Sequence, residues 1–247
     1  MDRMIYTAMT GAKHILEQQT TNSHNLANAT STGFRAQLDS FRAVPVVSEG
    51  LPTRTFVVDA TVGADFTPGP LQQTNRDLDV AIQGKGWLSV IRPDGSEGYT
   101  RNGSLKISEN GILQTADGRT LMGDGGPISI PPDETISVGK DGTISTVSNN
   151  YEPGAINIIG RLKLVNPPEE NLVRGKDGLF EQKSGQPAEI DPEVHLVGGA
   201  LEGSNVNVVE SMVNMISLAR QFDFQMKLLE KAENNANKAS QLLSLSS

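Results

Sequence analysis

The sequence contains no cysteine among its 247 residues. This absence excludes disulfide bonds, cysteine-liganded metals and thiol nucleophiles. The sequence also has no basic excess, because 29 Asp and Glu residues against 21 Lys and Arg residues give a formal net charge of −8. A protein that binds nucleic acid needs a basic surface to displace counterions from phosphates. We therefore expect no nucleic-acid partner.

Long apolar runs are missing as well, and none is long enough to span a bilayer. Residues 1–11 contain charged side chains and no continuous apolar core followed by a small-residue cleavage site. This pattern is not that of a Sec-type signal peptide. The sequence predicts no membrane insertion and no cleavable signal, so any export would use another route.

Candidate catalytic and metal-binding residues are few. His14, His24 and His195 are not paired with a candidate serine and carboxylate, and no two of them share metal-ligand spacing. Asp77 and Asp79 precede an apolar segment and would suit acid–base chemistry only if a cleft held them at a fixed separation. The repeated Asp-Gly pairs lack the closing glutamate of an EF-hand loop and are typical of turns. We predict no enzyme, no catalytic, cofactor or metal site, and no small-molecule substrate.

The N-terminal region has the apolar spacing of an amphipathic helix of about 20 to 25 residues. Asn25, Asn28 and Gly33 favour the end of this helix, and Phe34 with Arg35 begins an ordered segment. The apolar stripe is weak, so the helix is marginal alone and needs a partner. The residues of this predicted N-terminal assembly seam are Ile5, Ala8, Ala12, Ile15 and Leu26.

Residues 34–75 change character because four prolines interrupt any helix. Residues 53–58 are rich in β-branched side chains and predict a strand. We expect the whole of 34–75 to be an extended connecting arm.

The middle of the chain, residues 76–200, predicts a β-rich outer domain. Asn-Gly and Asp-Gly pairs supply the positive φ angles of tight hairpin turns. Short strands at near-regular spacing favour a small antiparallel sandwich or open barrel. The predicted strands are 87–91, 99–101, 104–107, 112–115, 120–122, 128–130, 135–138, 143–146, 156–165 and 194–197.

A second helix is predicted within 201–247, with Ser204 or Asn205 as its cap and a length of about 35 to 40 residues. A stripe of this length must lie against another long helix, and the N-terminal helix of residues 1–33 is the candidate. The predicted fold class is α+β, with the terminal helices paired as a coiled-coil-like unit. The predicted C-terminal assembly seam is Val209, Val213, Ile216, Phe222, Met226 and Leu229.

Three blocks in order along the chain resemble the bacterial flagellar rod and hook proteins. The first contains Asn25, Leu26, Ala27 and Asn28, followed by Thr32, Gly33, Phe34 and Arg35; the second is 78–84 with 99–103; the third is 201–206. The match extends over nearly the whole chain in three ordered blocks, which makes the resemblance more specific than any single motif. Trp87 departs from the phenylalanine usual in this family. The family-motif residues are Asn25, Leu26, Ala27, Asn28, Gly33 and Phe34.

The resemblance implies a structural subunit that polymerises through its terminal helices, with the β domain turned outward. It also implies export of the unfolded chain by the flagellar type III apparatus and a place in the basal body, spanning the periplasm. The expected partners are other proximal and distal rod subunits and the export apparatus. The residues favour a proximal-rod member, with a distal-rod paralogue as the alternative. A hypothesis from another class is a secreted adhesin-like β domain on a helical stalk.

Overall fold

The computed structural model describes residues 2–45, 55–131, 134–148 and 156–244. The chain divides into two compact units. The helical unit contains Met1–Ala29, Gln37–Ala64 and Val206–Ser247, and the β unit contains Thr30–Ala36 and Asp65–Asn205. Within the described residues, neither long helix has the length of apolar sequence needed to cross a membrane.

Two long helices dominate the helical unit. Helix α1 is Asp2–Ala27 and ends in the Asn-rich stretch, as predicted. Helix α2 is Val208–Ser244, 37 residues long, which agrees with the predicted length. The two helices contact each other, and an added Cβ at Gly11 of α1 would lie 3.2 Å from the Gln225 side chain of α2. The expected α+β class, with one N-terminal and one C-terminal helix, is confirmed.

The start of α2 differs from the prediction. The side chain of Asn207 accepts hydrogen bonds from the backbone N–H groups of Val209 (3.1 Å) and Glu210 (3.2 Å), so Asn207 is the cap. The predicted cap Asn205 instead lies in the β unit, where its side-chain amide donates to the carbonyl oxygen of Asp65 at 2.9 Å. Its polar groups are therefore already engaged away from the helix.

The segment 34–75, expected as an extended arm, is divided between the two units. Strands β1 (Gln37–Pro45) and β2 (Thr55–Ala64) form a two-stranded antiparallel sheet in the helical unit. The predicted strand at 53–58 is confirmed from Thr55 onward, and its first two positions lie outside the described residues. Cross-strand pairing explains the difference, since sequence periodicity does not show which distant segment supplies the second strand.

The β unit contains sixteen short strands, all of whose pairings among the described residues are antiparallel. Its first eight are β3 (Leu71–Gln73), β4 (Val80–Gln83), β5 (Trp87–Ile91), β6 (Glu97–Thr100), β7 (Leu105–Ile107), β8 (Leu113–Thr115), β9 (Thr120–Gly123) and β10 (Gly126–Pro127). The others are β11 (Glu134–Val138), β12 (Thr143–Ser148), β13 (Ile156–Arg161), β14 (Leu164–Val165), β15 (Leu172–Arg174), β16 (Phe180–Gln182), β17 (His195–Gly198) and β18 (Ala200–Glu202).

These strands make several sheets around a shared apolar core. The largest sheet has nine strands, with the order β15-β16-β6-β5-β9-β8-β7 and with β10 on β9 and β14 on β5. A three-stranded sheet has the order β11-β12-β13, and two further pairs are β17-β4 and β18-β3. The core includes Val80, Leu88, Val90, Leu105, Leu113, Leu121, Ile144, Leu162, Leu164 and Leu196.

Most predicted strands of the middle region are confirmed, with three differences. The predicted strand at 128–130 is replaced by β10 and an isolated bridge between Ile112 and Ser129. The predicted strand 156–165 is divided into β13 and β14, which join different sheets. The Asn102-Gly103 pair was expected as a primed turn, but Gly103 has no positive φ. Gly103 instead permits close approach, because a Cβ there would lie 1.7 Å from the carbonyl oxygen of Val80.

Candidate functional site

The inner face of α1 carries the predicted N-terminal seam. Ala8, Ala12 and Ile15 are buried, and Ile5 and Leu26 are half-buried. Their spacing of three or four residues places them on one side of the helix. Small residues at two of the three buried positions allow the neighbouring backbone to come close.

The inner face of α2 is built from residues at the same spacing. Ser211 and Ala232 are buried, and Leu218 is half-buried. Ser211 also accepts a hydrogen bond at its carbonyl oxygen from the side-chain amide of Asn22 on α1, at 2.7 Å. This face is therefore the one that packs within the helical unit.

The predicted C-terminal seam divides between two faces of α2. Phe222 and Leu229 are half-buried and share the side of Ser211. The other four residues are exposed: Val209, Val213, Ile216 and Met226. Val209 has 71% of its surface exposed. At 100° per residue, Val209, Val213 and Ile216 point about 180° away from Ser211 and Leu218. The predicted seam is therefore divided: Phe222 and Leu229 lie on the side of Ser211, whereas Val209, Val213 and Ile216 lie on the opposite side, in the first turns of α2.

The family-motif residues Asn25 and Asn28 make hydrogen bonds at the C-terminal end of α1. The side-chain amide of Asn25 donates to the carbonyl oxygen of Gln37 at 2.9 Å, and its oxygen accepts the N–H of Gln37 at 2.8 Å. Asn28 donates to the carbonyl oxygen of His24 through its backbone N–H (3.2 Å) and its side chain (2.9 Å). The Asn28 bonds close the last turn of α1, and the Asn25 bonds join this helix end to the first residue of β1. Ala27, within the motif, is exposed.

Gly33 and Phe34 belong to the β unit. The N–H of Gly33 donates to the carbonyl oxygen of Glu202 at 2.7 Å, and the N–H of Asn205 donates to the carbonyl oxygen of Phe34 at 3.3 Å. Gly33 has φ +67°, and an added Cβ would lie 2.3 Å from the carbonyl carbon of Arg101. The segment 33–36 therefore lies beside 202–205, and both the backbone conformation and the space require glycine.

Glu202 joins two buried arginines in the β unit. Its Oε1 accepts from Arg35 Nη2 at 2.6 Å and from the N–H of Gly69 at 2.9 Å, and its Oε2 accepts from Arg101 Nη1 at 2.9 Å. Arg35 is 0% exposed, Glu202 1% and Arg101 4%. Burial lowers the pKa of Arg101, and the charge of Glu202 opposes this shift.

A third arginine, Arg174, adjoins this group. Its Nη2 donates to the carbonyl oxygen of Arg35 at 2.6 Å, and its guanidinium lies 4.8 Å from the ring centroids of both Phe34 and Phe180. Burial lowers the pKa of Arg174. Arg101 is likewise 5.4 Å from the ring of Trp87. Cation–π contacts thus add to the stabilisation of the Arg101 and Arg174 guanidinium groups.

The sequence patterns indicate no role for Arg101, Arg174 or Glu202. The signal available in the sequence is that Arg101 is the single charged residue of 99–103 and Glu202 the single charged residue of 201–206. Periodicity could not indicate that these charges meet, since the residues come from separate segments. Over the described ranges, no group of three or more His, Asp or Glu side chains is arranged to hold a metal ion.

Comparison with known proteins agrees with the motif blocks. Two family models match the chain: the flagellar hook protein FlgE/F/G D1 domain over residues 81–146, and the flagellar basal body rod FlgEFG protein C-terminal region over residues 197–242. The chain is also 46% identical to the flagellar basal-body rod protein FlgF of Escherichia coli (strain K12), with 100% of both chains covered.

The chain belongs to the flagellar basal-body rod protein family. The rod protein FlgF of Salmonella typhimurium is likewise 46% identical over 100% of both chains. A rod protein named FlgG, from Buchnera aphidicola subsp. Schizaphis graminum, is 30% identical over 89% of this chain and 92% of its own. The chain is thus FlgF-like within the rod family. The resemblance expected from the motif blocks is confirmed, the family is structural and non-enzymatic, and the adhesin hypothesis gains no support.

Proposed function

We propose that the chain is a structural subunit of the flagellar basal-body rod and that it polymerises through its terminal helices. The observation that carries this proposal is the second apolar face of α2, formed by Val209, Val213 and Ile216 and exposed in the single chain. Family membership supports the same function.

The exposed face gives the proposal its physical basis. The face lies on about the first two turns of α2, and its exposed apolar side chains are unfavourable in water. Burying one such side chain contributes about 1.5 to 3 kcal/mol. The helices of neighbouring subunits would cover this face through heterologous contacts. Such contacts do not close on themselves, so they extend a helical filament.

The finer arrangement is also proposed. The terminal helices pair in a coiled-coil-like manner, supported by buried Ala8, Ala12 and Ile15 on α1, and the β unit forms a small sandwich or open barrel, supported by its common apolar core. The subunit occupies the proximal rod within the periplasm, with the distal rod as the alternative. Its partners are other rod and hook components and the flagellar type III export apparatus.

The test is incorporation of variants into basal bodies. Ile216→Asp places a charge on the exposed face and should leave the circular dichroism of the monomer unchanged, because the side chain is 57% exposed. We expect its amount in purified basal bodies, measured by quantitative mass spectrometry, to fall at least about tenfold. The matched control is Asn214→Asp, an exposed position off this face, which should be incorporated normally.

Normal incorporation of the Ile216→Asp subunit would contradict assembly through this face. The wild-type protein in the same experiment tests its position in the rod. A few copies beside a more abundant relative would support the proximal rod, and high abundance would support the distal rod. Absence from basal bodies would contradict the function as a whole.

A further inference from the structure

All the basic residues of helix α2 lie on one exposed face. At about 100° per residue, its four cations and two exposed valines of its first turns lie within about 40° of one another around the helix axis. These residues, which we call the apolar–basic stripe, are Val209, Val213, Arg220, Lys227, Lys231 and Lys238. The stripe is exposed along its length, and none of its cations forms an ion pair with a carboxylate of the described residues.

A second exposed stripe of α2 is apolar and acidic. Three of the four carboxylates of the helix and three exposed apolar side chains lie within about 80° of one another. These residues, which we call the apolar–acidic stripe, are Met212, Ala219, Asp223, Met226, Glu230 and Glu233. Its carboxylates likewise have no ion pair in the part of the chain that the structure describes. The centres of the two stripes are about 90° apart around the axis, and both lie off the side of Ser211 that packs within the helical unit.

The two stripes have the same order of character along the helix. Each is apolar before residue 220 and carries its charges from there onward, with cations on one stripe and carboxylates on the other. When two parallel α2 helices lie side by side at about the same height, the valines of one stripe therefore meet Met212 and Ala219 of the other. The cations then meet Asp223 and the carboxylates that follow it.

We propose that the apolar–basic stripe of one copy binds the apolar–acidic stripe of a second copy of this chain, with the two α2 helices parallel. This inference rests on the proposed function, and it names the surface of the neighbouring subunit that covers Val209 and Val213. Because two different faces meet, each copy keeps one stripe free for the next copy, and the contact is heterologous.

The charges fix the orientation of this contact more than its strength. An exposed ion pair contributes little affinity, so the apolar ends of the stripes supply most of the attraction. In the antiparallel arrangement the cations of one copy would face Met212 and Ala219 of the other, and the carboxylates would have no cation opposite them. Complementary charge therefore favours the parallel arrangement and disfavours the wrong face.

The test reverses the charges on each stripe separately and then on both. The first variant combines Lys227→Glu with Lys231→Glu, the second combines Asp223→Lys with Glu230→Lys, and the exchanged variant carries all four substitutions. Each is the sole copy of the chain in the cell, and quantitative mass spectrometry measures its amount in purified basal bodies. We expect each one-sided variant to fall at least about tenfold, because like charges then face each other between copies.

The exchanged variant should return to about the wild-type amount. Its stripes are again complementary in a second copy, and the net charge of the chain is unchanged. Co-expression of the two one-sided variants should also restore incorporation, because alternating copies present opposite charges to each other. The control combines Lys106→Glu with Lys176→Glu, which makes the same change of charge at exposed positions of the β unit and should be incorporated normally. Circular dichroism of the purified monomers checks that α2 remains helical in every variant.

Three results would overturn the inference. Normal incorporation of either one-sided variant would show that its stripe makes no such contact. A loss that the exchanged variant does not restore would show that the stripes bind a different protein and not a second copy. An equal loss in the β-unit control would be a general effect of charge. Absence of the wild-type chain from the same basal bodies would instead contradict the proposed function, so the two failures are distinguishable.

Discussion

Arg35 and Glu202 form an ion pair of 2.6 Å between Nη2 and Oε1, although 167 residues separate them in the sequence. Both side chains are almost completely buried. One residue precedes β1 and the other ends β18, so the pair holds two distant segments of the chain together inside the β unit. Because Arg101 shares the same carboxylate, the loss of Glu202 would leave two buried cations without a counter-charge.

Glu202→Gln is therefore expected to destabilise the β unit strongly. Removing one partner of a buried ion pair costs about 3 to 5 kcal/mol, because the remaining charge stays buried. Chemical denaturation followed by Trp87 fluorescence measures the loss. The control is Glu169→Gln, whose partner Lys85 is largely exposed and whose ion pair should contribute less than about 1 kcal/mol. Equal stabilities for the two variants would contradict this account of the buried ion pairs of Glu202.

Gly33→Ala should lower the free energy of unfolding by more than about 2 kcal/mol. The left-handed φ of +67° disfavours alanine, and the new methyl group would lie 2.3 Å from the Arg101 carbonyl carbon. Gly95→Ala is the matched control, since it also has a positive φ (+85°) but no heavy atom of the described residues lies within 4 Å of its added Cβ. We expect about 1 kcal/mol for the control. Similar losses would show that backbone strain alone, and not the close approach, requires Gly33.

Asn25→Ala should weaken the junction between α1 and β1. The Asn25 side chain makes two hydrogen bonds to the backbone of Gln37, and each is worth about 0.5 to 1.5 kcal/mol. Amide hydrogen exchange should show faster exchange at Gln37 in the variant by about tenfold, provided that local opening controls exchange there. Thr10→Ala serves as a control, because the Thr10 hydroxyl donates only within α1. Unchanged exchange at Gln37 would exclude the proposed role of Asn25.

The pKa of Asp141 should lie below its ordinary value of 3.8, and Thr143→Val should raise it. The hydroxyl of Thr143 donates to Asp141 Oδ2 at 2.7 Å, and the Thr143 N–H donates to Oδ1 at 3.2 Å, so both favour the charged carboxylate. Because the folded-state pKa is lowered, ionised Asp141 stabilises the folded protein above about pH 3.8. This stabilisation is lost as the pH falls through the folded-state pKa.

An NMR titration of the carboxyl carbon of Asp141 measures the shift in wild type and in Thr143→Val. Asp94 is the internal control, since its pKa is lowered by hydrogen bonds from Ser96 and should not change in this variant. If the pKa of Asp141 stayed equally low without the hydroxyl, the Thr143 side chain would not be the main cause.

Local sequence patterns predicted the regular elements well, because those elements depend on residues close in the chain. The apolar spacing of α1 and α2 gave helices of about the observed length. The strand Trp87–Ile91 was predicted with its observed bounds, and the Asp94-Gly95 turn has the positive φ expected at Gly95. The cap of α2 was misplaced, because Asn205 and Asn207 are equally good caps in sequence and only their tertiary partners distinguish them.

By itself, the sequence determined the α+β composition, the two terminal helices, the antiparallel β region and the family, since each depends on local periodicity, turn residues or motifs. Tertiary structure decided which of the two apolar faces of α2 packs against α1 and which stays exposed. It also decided that Arg35, Arg101 and Glu202 share one buried site. The physical reason is the same in both cases: burial and charge pairing depend on contacts between distant segments, which local periodicity cannot specify.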